Sequence, residues 1–109
     1  MKHRAGLTGH LRVTVEFHDA ARRSLTVRWS PDDEIAAGRR LEYARLFVVT
    51  RHELRMYLDI VDGTPWARVR LPDPLAVGEY SIEVDAYGSA SWGDGRLAAR
   101  GRSGSFPVR

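Results

Sequence analysis

Glu83 and Asp85 are the residues of this chain with the most recognisable chemical potential. They are two carboxylates two positions apart in "EYSIEVDAYG", on one face if the segment is extended, and such a pair could divide acid and base work on a glycosidic bond. Arg68 and Arg70 stand at the same spacing in the preceding extended segment "WARVRL", and cross-strand ion pairs account for both sets without catalysis. "HELRM" at 52–56 opens like a zinc-protease helix, but Met56 stands where the second His is required and the segment alternates as a strand. His3, His10, His18 and His52 are scattered over the N-terminus, a strand end and a turn, where imidazoles serve as surface groups. "DIVDG" lacks the ligand spacing of a calcium loop, and neither "GDG" nor "GRSG" precedes a helix as a phosphate-binding loop must. With no cysteine among 109 residues, disulfides and thiolate metal sites are excluded. This inventory predicts a chain that is not an enzyme and holds no metal or cofactor.

Other residue types suit binding. Asp32, Asp33 and Glu34 form a run of three acids in "WSPDDEIAAG", Trp66 and Tyr87 point outward by strand parity, and Trp92 falls in a loop. Exposed Trp and Tyr are typical anchors at protein interfaces, and a dense acidic patch complements a basic cleft. These six residues are the expected partner-binding set. The acids have a purely structural use as well, because carboxylates in a first helical turn stabilise the helix dipole by a few tenths to ~1 kcal/mol each.

The elements that must carry these groups are strands. "HLRVTVEFH" alternates with Leu11, Val13, Val15 and Phe17 on one face; "LTVRW" repeats the pattern through Leu25, Val27 and Trp29. "LEYARLFVVT" and "ELRMYLDIV" are rich in aromatic and β-branched residues and meet at a tight or bulged turn. "WARVRL" turns Ala67, Val69 and Leu71 inward, and "EYSIEVDAYG" turns Tyr80, Ile82, Val84 and Ala86 inward with Ser81, Glu83, Asp85 and Tyr87 outward. Between the second and third strands the pattern predicts a helix over 31–37, with Ser30 as N-cap, Pro31 at N1, Asp33 at N3 and Gly38 as a left-handed stop. After Gly88 a mixture of Gly, Ser, Ala and Arg predicts a flexible loop over about 88–104, and "SFPV" a last strand that Pro107 confines to an edge. The expected fold is all-β: an antiparallel β-sandwich, Ig-like or related, of six to seven strands with one short surface helix.

Length and charge bound the rest. The chain suits one domain spanning 1–109, and no apolar run approaches the ~18 residues of a membrane span. No apolar segment of signal type opens it, so the cytoplasm is the expected compartment. The net charge of +3 conceals a division. Lys2, Arg4 and Arg12 near the basic N-terminal end (1–9), with Arg96, Arg100, Arg102 and Arg109 at the other, stand without acids, whereas all 14 acids lie in 16–94 beside ten arginines. The body is therefore acidic, and specific nucleic-acid binding by a folded face is not expected.

A strand ending in Trp, a short acidic helix with a Gly stop ("WSPDDEIAAG"), a strand with a central aromatic ("ARLFVV") and a later "GEYSI" strand together resemble the bacterial competence protein J family over roughly residues 11–87. The chain departs from that family in lacking the longer segment between the fourth and fifth strands and in its Arg-rich tail. Members of the family inhibit a DNA-entry nuclease, and related β-sandwich proteins resemble immunity partners of toxins. The resemblance implies a binding protein whose partner is a basic nuclease or toxin. A structural or accessory Ig-like module of a larger bacterial assembly is the alternative expectation.

Overall fold

Alternating apolar residues set the strands of the computed structural model, which describes residues 7–88 and 97–109. They are β1 (Gly9–Phe17), β2 (Ser24–Pro31), β3 (Tyr43–Thr50), β4 (Arg55–Asp62), β5 (Trp66–Arg70), β6 (Gly78–Tyr87), β7 (Ala99–Arg102) and β8 (Phe106–Val108), with one helix, α1 (Glu34–Ala37), between β2 and β3. Trp92 and the stretch 89–96 of the expected loop lie outside the described residues.

The strand order is β4-β3-β6-β7-β1-β2-β5, with β8 pairing the start of β6. The all-β expectation holds, with two differences from it. Eight strands form among the described residues, and they make a nearly closed, mixed sheet, because Gly9 and His10 of β1 run parallel to Ala99 and Arg100 of β7. From Leu11 onward β1 turns to pair antiparallel with β2, so one strand joins the two halves of the sheet. The inward residues read from parity meet in one core, where Leu11, Leu25, Val27, Ile82 and Val84 are buried with Trp29 beside them, and Leu46 and Val48 of β3 join them.

Part of the expected loop is therefore a strand. "ARGR" has no β-branched or aromatic residue, and its conformation comes from its neighbours: β6 on one side, through Glu83↔Arg102 to Ala86↔Ala99, and β1 on the other. Glycine at 101 permits that fit, since a Cβ there would collide with the carbonyl oxygen of Leu11.

The helix also differs from expectation. Ser30 and Pro31 belong to β2, opposite Arg12 and Leu11, because pairing with β1 continues through them and leaves no capping conformation. The N-cap passes to Asp33, whose carboxylate accepts the Ala36 N–H at 2.9 Å and the His10 N–H at 3.1 Å. Gly38 ends the helix at φ −85°, in the right-handed region. Those two N–H groups hold Asp33 below the usual aspartate value of 3.8, the Ala36 bond contributing most. Asp19 is lowered in the same way, first by the Ser24 N–H. A carboxylate with a depressed folded pKa contributes stability above its unfolded value and loses it as pH falls through the folded one. Melts below pH ~4 are therefore expected to show falling stability, with a shallower slope in Asp33→Asn. An identical slope in the variant would contradict the capping role.

Candidate binding surface

One face of the half-sheet β4-β3-β6-β7 looks away from the core. It carries Arg55, Tyr57, Ile60 and Asp62 from β4, Tyr43, Arg45, Phe47 and Val49 from β3, Ser81, Glu83, Asp85 and Tyr87 from β6, and Arg100 and Arg102 from β7. Of these, Ser81, Glu83, Asp85 and Tyr87 were expected outward, and they are nonetheless buried: the side chains of Glu83 and Asp85 are 6% and 3% exposed. β6 is a central strand, and long arginines from β4 and β7 reach over it.

The result is a chain of alternating charges: Glu53, Arg102, Glu83, Arg55, Asp85, Arg100. Arg102 bridges Glu53 at 2.9 Å and Glu83 at 3.0 Å; Arg55 Nη2 meets Asp85 at 2.6 Å; Arg100 grips Asp85 through two bonds of 2.7 and 2.9 Å. Arg55 Nε lies 2.7 Å from Glu83 Oε1 but off the line a hydrogen bond needs, so that oxygen has a charge partner and no hydrogen bond. Bonding to Asp85 raises the Arg100 pKa, and bonding first to Glu53 raises that of Arg102. The expected ion pairs of Glu83 and Asp85 thus exist with different partners. Arg68 and Arg70 lie on β5, which pairs with β2 in the other half, and Arg70 meets Asp73 instead. Glu53 holds its place from a left-handed φ of 68° in the turn between β3 and β4, where Thr50 N–H bonds Leu54 and Glu53 N–H bonds Thr50.

Aromatics complete the face. Arg55 lies 3.7 Å above the Phe47 ring, Phe47 meets Tyr57 edge-on, and Tyr87 stacks on Tyr43 at 5.1 Å. Burial, with Asp85 nearby, pushes the Tyr87 phenol up. Tyr87 therefore keeps its expected face but is packed rather than presented.

The other expected contact residues lie apart from this face. Trp66 is exposed at the head of β5 beside Arg28, in the other half. Asp32 sits between His10 at 3.5 Å and Arg12 at 3.3 Å, Asp33 is spent on the cap, and Glu34 alone of the three has no partner among the described residues. The three acids are thus a largely compensated cluster. A groove of about 400 Å³ beside β7, lined by Thr8, His10, Glu83, Leu97, Arg100 and Arg102, is walled by charges already paired with others.

A different set was missed by parity. Seven large apolar side chains are exposed among the described residues, and four of them, Leu54, Met56, Tyr57 and Ile60, lie on β4 or the turn before it. The signal was present in "ELRMYLDIV", whose apolar residues occupy both faces; an edge position exposes what a central strand would bury.

No protein-family model matches the chain, and no curated protein matches it. Among the described residues no cluster of three His, Cys, Asp or Glu could hold a metal ion, and no helix is long and apolar enough to cross a membrane.

Proposed function

We propose that the chain is a non-catalytic domain that acts by binding another protein, as an inhibitor or immunity-type partner of a bacterial nuclease or toxin in the cytoplasm. The observation that carries the binding reading is the concentration of exposed apolar side chains on β4, at the rim of a face stiffened by six linked charges. A preordered surface of this kind loses little entropy on association. The two carboxylates best spaced for acid–base work are engaged as counter-ions of arginines, which favours binding over catalysis. The nuclease or toxin as partner rests on the resemblance to the competence protein J family. The full chain, immobilised and exposed to extract of its own organism, is expected to retain a nuclease or toxin, and Tyr57→Lys with Ile60→Lys to lose it. Retention of the same protein by the double variant would remove β4 from the surface.

Asp32 and Glu34 are assigned a secondary, steering role toward a basic partner. Asp32→Lys with Glu34→Lys is expected to slow association at least roughly tenfold at low salt, with the effect shrinking as salt rises. An unchanged rate would take this segment out of the interface.

The strand order also favours the second reading, an Ig-like accessory module. A three-stranded half (β1-β2-β5) and a four-stranded half (β4-β3-β6-β7) that share the first strand fit the sandwich architecture of such modules. A structural or secretion component captured in place of a nuclease would select it.

A further inference from the structure

Among the described residues β4 ends the strand path, so one of its edges has no hydrogen-bonded neighbour. Natural edges are blunted by Pro, by charged side chains and Lys above all, by bulges, by shortness or by a covering loop. β4 has one bulge and three charged residues, Arg55, Asp59 and Asp62, yet it is eight residues long with neither Pro nor Lys, and six of the eight are exposed. Such an edge is a template for another strand.

Its own sequence supplies the complement. The bulge opposite Leu46 and Phe47 resets the parity of β4, so that Arg55, Tyr57, Ile60 and Asp62 all share the outer face, through their partners Val49, Phe47, Arg45 and Tyr43. The bond from Thr50 N–H to Leu54 at one end, and that from Gly63 N–H to Glu42 at the other, fix which backbone groups face β3. Counting inward from each by the alternation of an antiparallel ladder, the N–H and C=O groups of Arg55, Tyr57, Ile60 and Asp62 point to the free edge.

We infer that β4 pairs antiparallel with β4 of a second copy of this chain, about an axis between Leu58 and Asp59. In that register Arg55 faces Asp62 of the second copy, Met56 faces Val61, and Tyr57 faces Ile60. Opposite charges face each other at both ends, Met56 with Val61 and Tyr57 with Ile60 are apolar pairs inside them, and Leu58 faces Asp59 of the second copy at the axis, with outward backbone groups facing outward backbone groups. Shifting the register by one residue either way sets outer-face residues against core-side ones. Arg55 is held over the Phe47 ring by Glu83 and Asp85, so its share in the pairing is attraction to the exposed Asp62 of the second copy across the strand and not a direct bond. Asp59, whose carboxylate accepts the Ile60 N–H at 2.8 Å, is exposed and releases it to the incoming strand. This assignment rests on β4 being a binding surface and names the occupant of its edge; the outer face, continued across the axis, stays open to a different protein.

Sedimentation velocity of the full chain over a micromolar concentration series is expected to show a monomer–dimer equilibrium. Ile60→Lys should raise its dissociation constant roughly 30-fold or more. The absence of native cysteine allows a register test. Tyr57→Cys mixed with Ile60→Cys should form a disulfide-linked dimer under mild oxidation, because facing Cα atoms are ~5.5 Å apart, whereas either variant alone should not. A chain that stays monomeric, a dimer indifferent to Ile60→Lys, or equal cross-linking of the single variants overturns the assignment. If the chain is monomeric and Tyr57→Lys with Ile60→Lys still loses the captured partner, self-pairing fails and the protein-binding reading stands.

Discussion

Arg55→Ala is expected to destabilise the domain by about 3 kcal/mol, the lower end of the cost of stripping one partner from a buried ion pair. The side chain serves two carboxylates that are almost wholly out of water, and its guanidinium also covers the Phe47 ring. Removal leaves Glu83 with Arg102 and Asp85 with Arg100, so neither charge is orphaned, which is why the lower end applies. Glu83 Oε1 is the sensitive atom: it already lacks a hydrogen bond, and the next cation, Arg100, is 4.0 Å away. In thermal melts the change should lower Tm by roughly 15 °C for a domain of this size. Adding Glu83→Gln to Arg55→Ala should cost less than the two single losses summed, because the neutral amide needs no counter-ion. Strict additivity would mean that the two groups do not interact. A loss below about 1 kcal/mol would place the pair among surface bridges that contribute little.

The strands that read clearly from the sequence are those whose own side chains decide their faces. Leu11 and Val13, Leu25, Val27 and Trp29, and Ala67 and Val69 alternate with polar groups, and each set is buried as parity requires. Parity gives a face without giving its neighbour. Glu83 and Asp85 were therefore legible as members of an ion-pair face, while Arg55, Arg100 and Arg102 were not legible as their partners, because β6 crosses over to lie between β3 and β7 instead of beside β5. The helix shows a local signal overruled by a distant one: Ser30 and Pro31 are good capping residues, yet seven paired positions with β1 hold them in a strand. Tyr87 was assigned to its face correctly, but no local pattern announces that Tyr43 will stack on it. The exposed side of β4 was hidden by its composition, since apolar residues on both faces describe a covered strand as well as an edge that awaits a partner.

Gly101→Val is expected to be at least as damaging, at about 3 kcal/mol or more, because the clash is with backbone that cannot move without unpairing strands. A Cβ on residue 101 would meet the carbonyl oxygen and Cβ of Leu11, a residue 1% exposed at the point where β1 leaves β7 for β2. Relief of the overlap requires β7 to move away from β1, and β7 carries Arg100 and Arg102. Their withdrawal would leave Asp85 and Glu83 with Arg55 alone, so overpacking at one glycine becomes loss of charge partners several ångströms away. That coupling distinguishes the site from an ordinary tight spot. Gly101→Val should raise amide exchange in β6 at Glu83 to Ala86 as well as in β7, since those residues form the β6–β7 ladder. Gly104→Ala is the matched control, because nothing lies within 4 Å of a Cβ there, and its stability should stay within about 0.5 kcal/mol of the parent. If the two variants melted together, β7 would be a strand held loosely against the fold, and the sheet would open between β6 and β1.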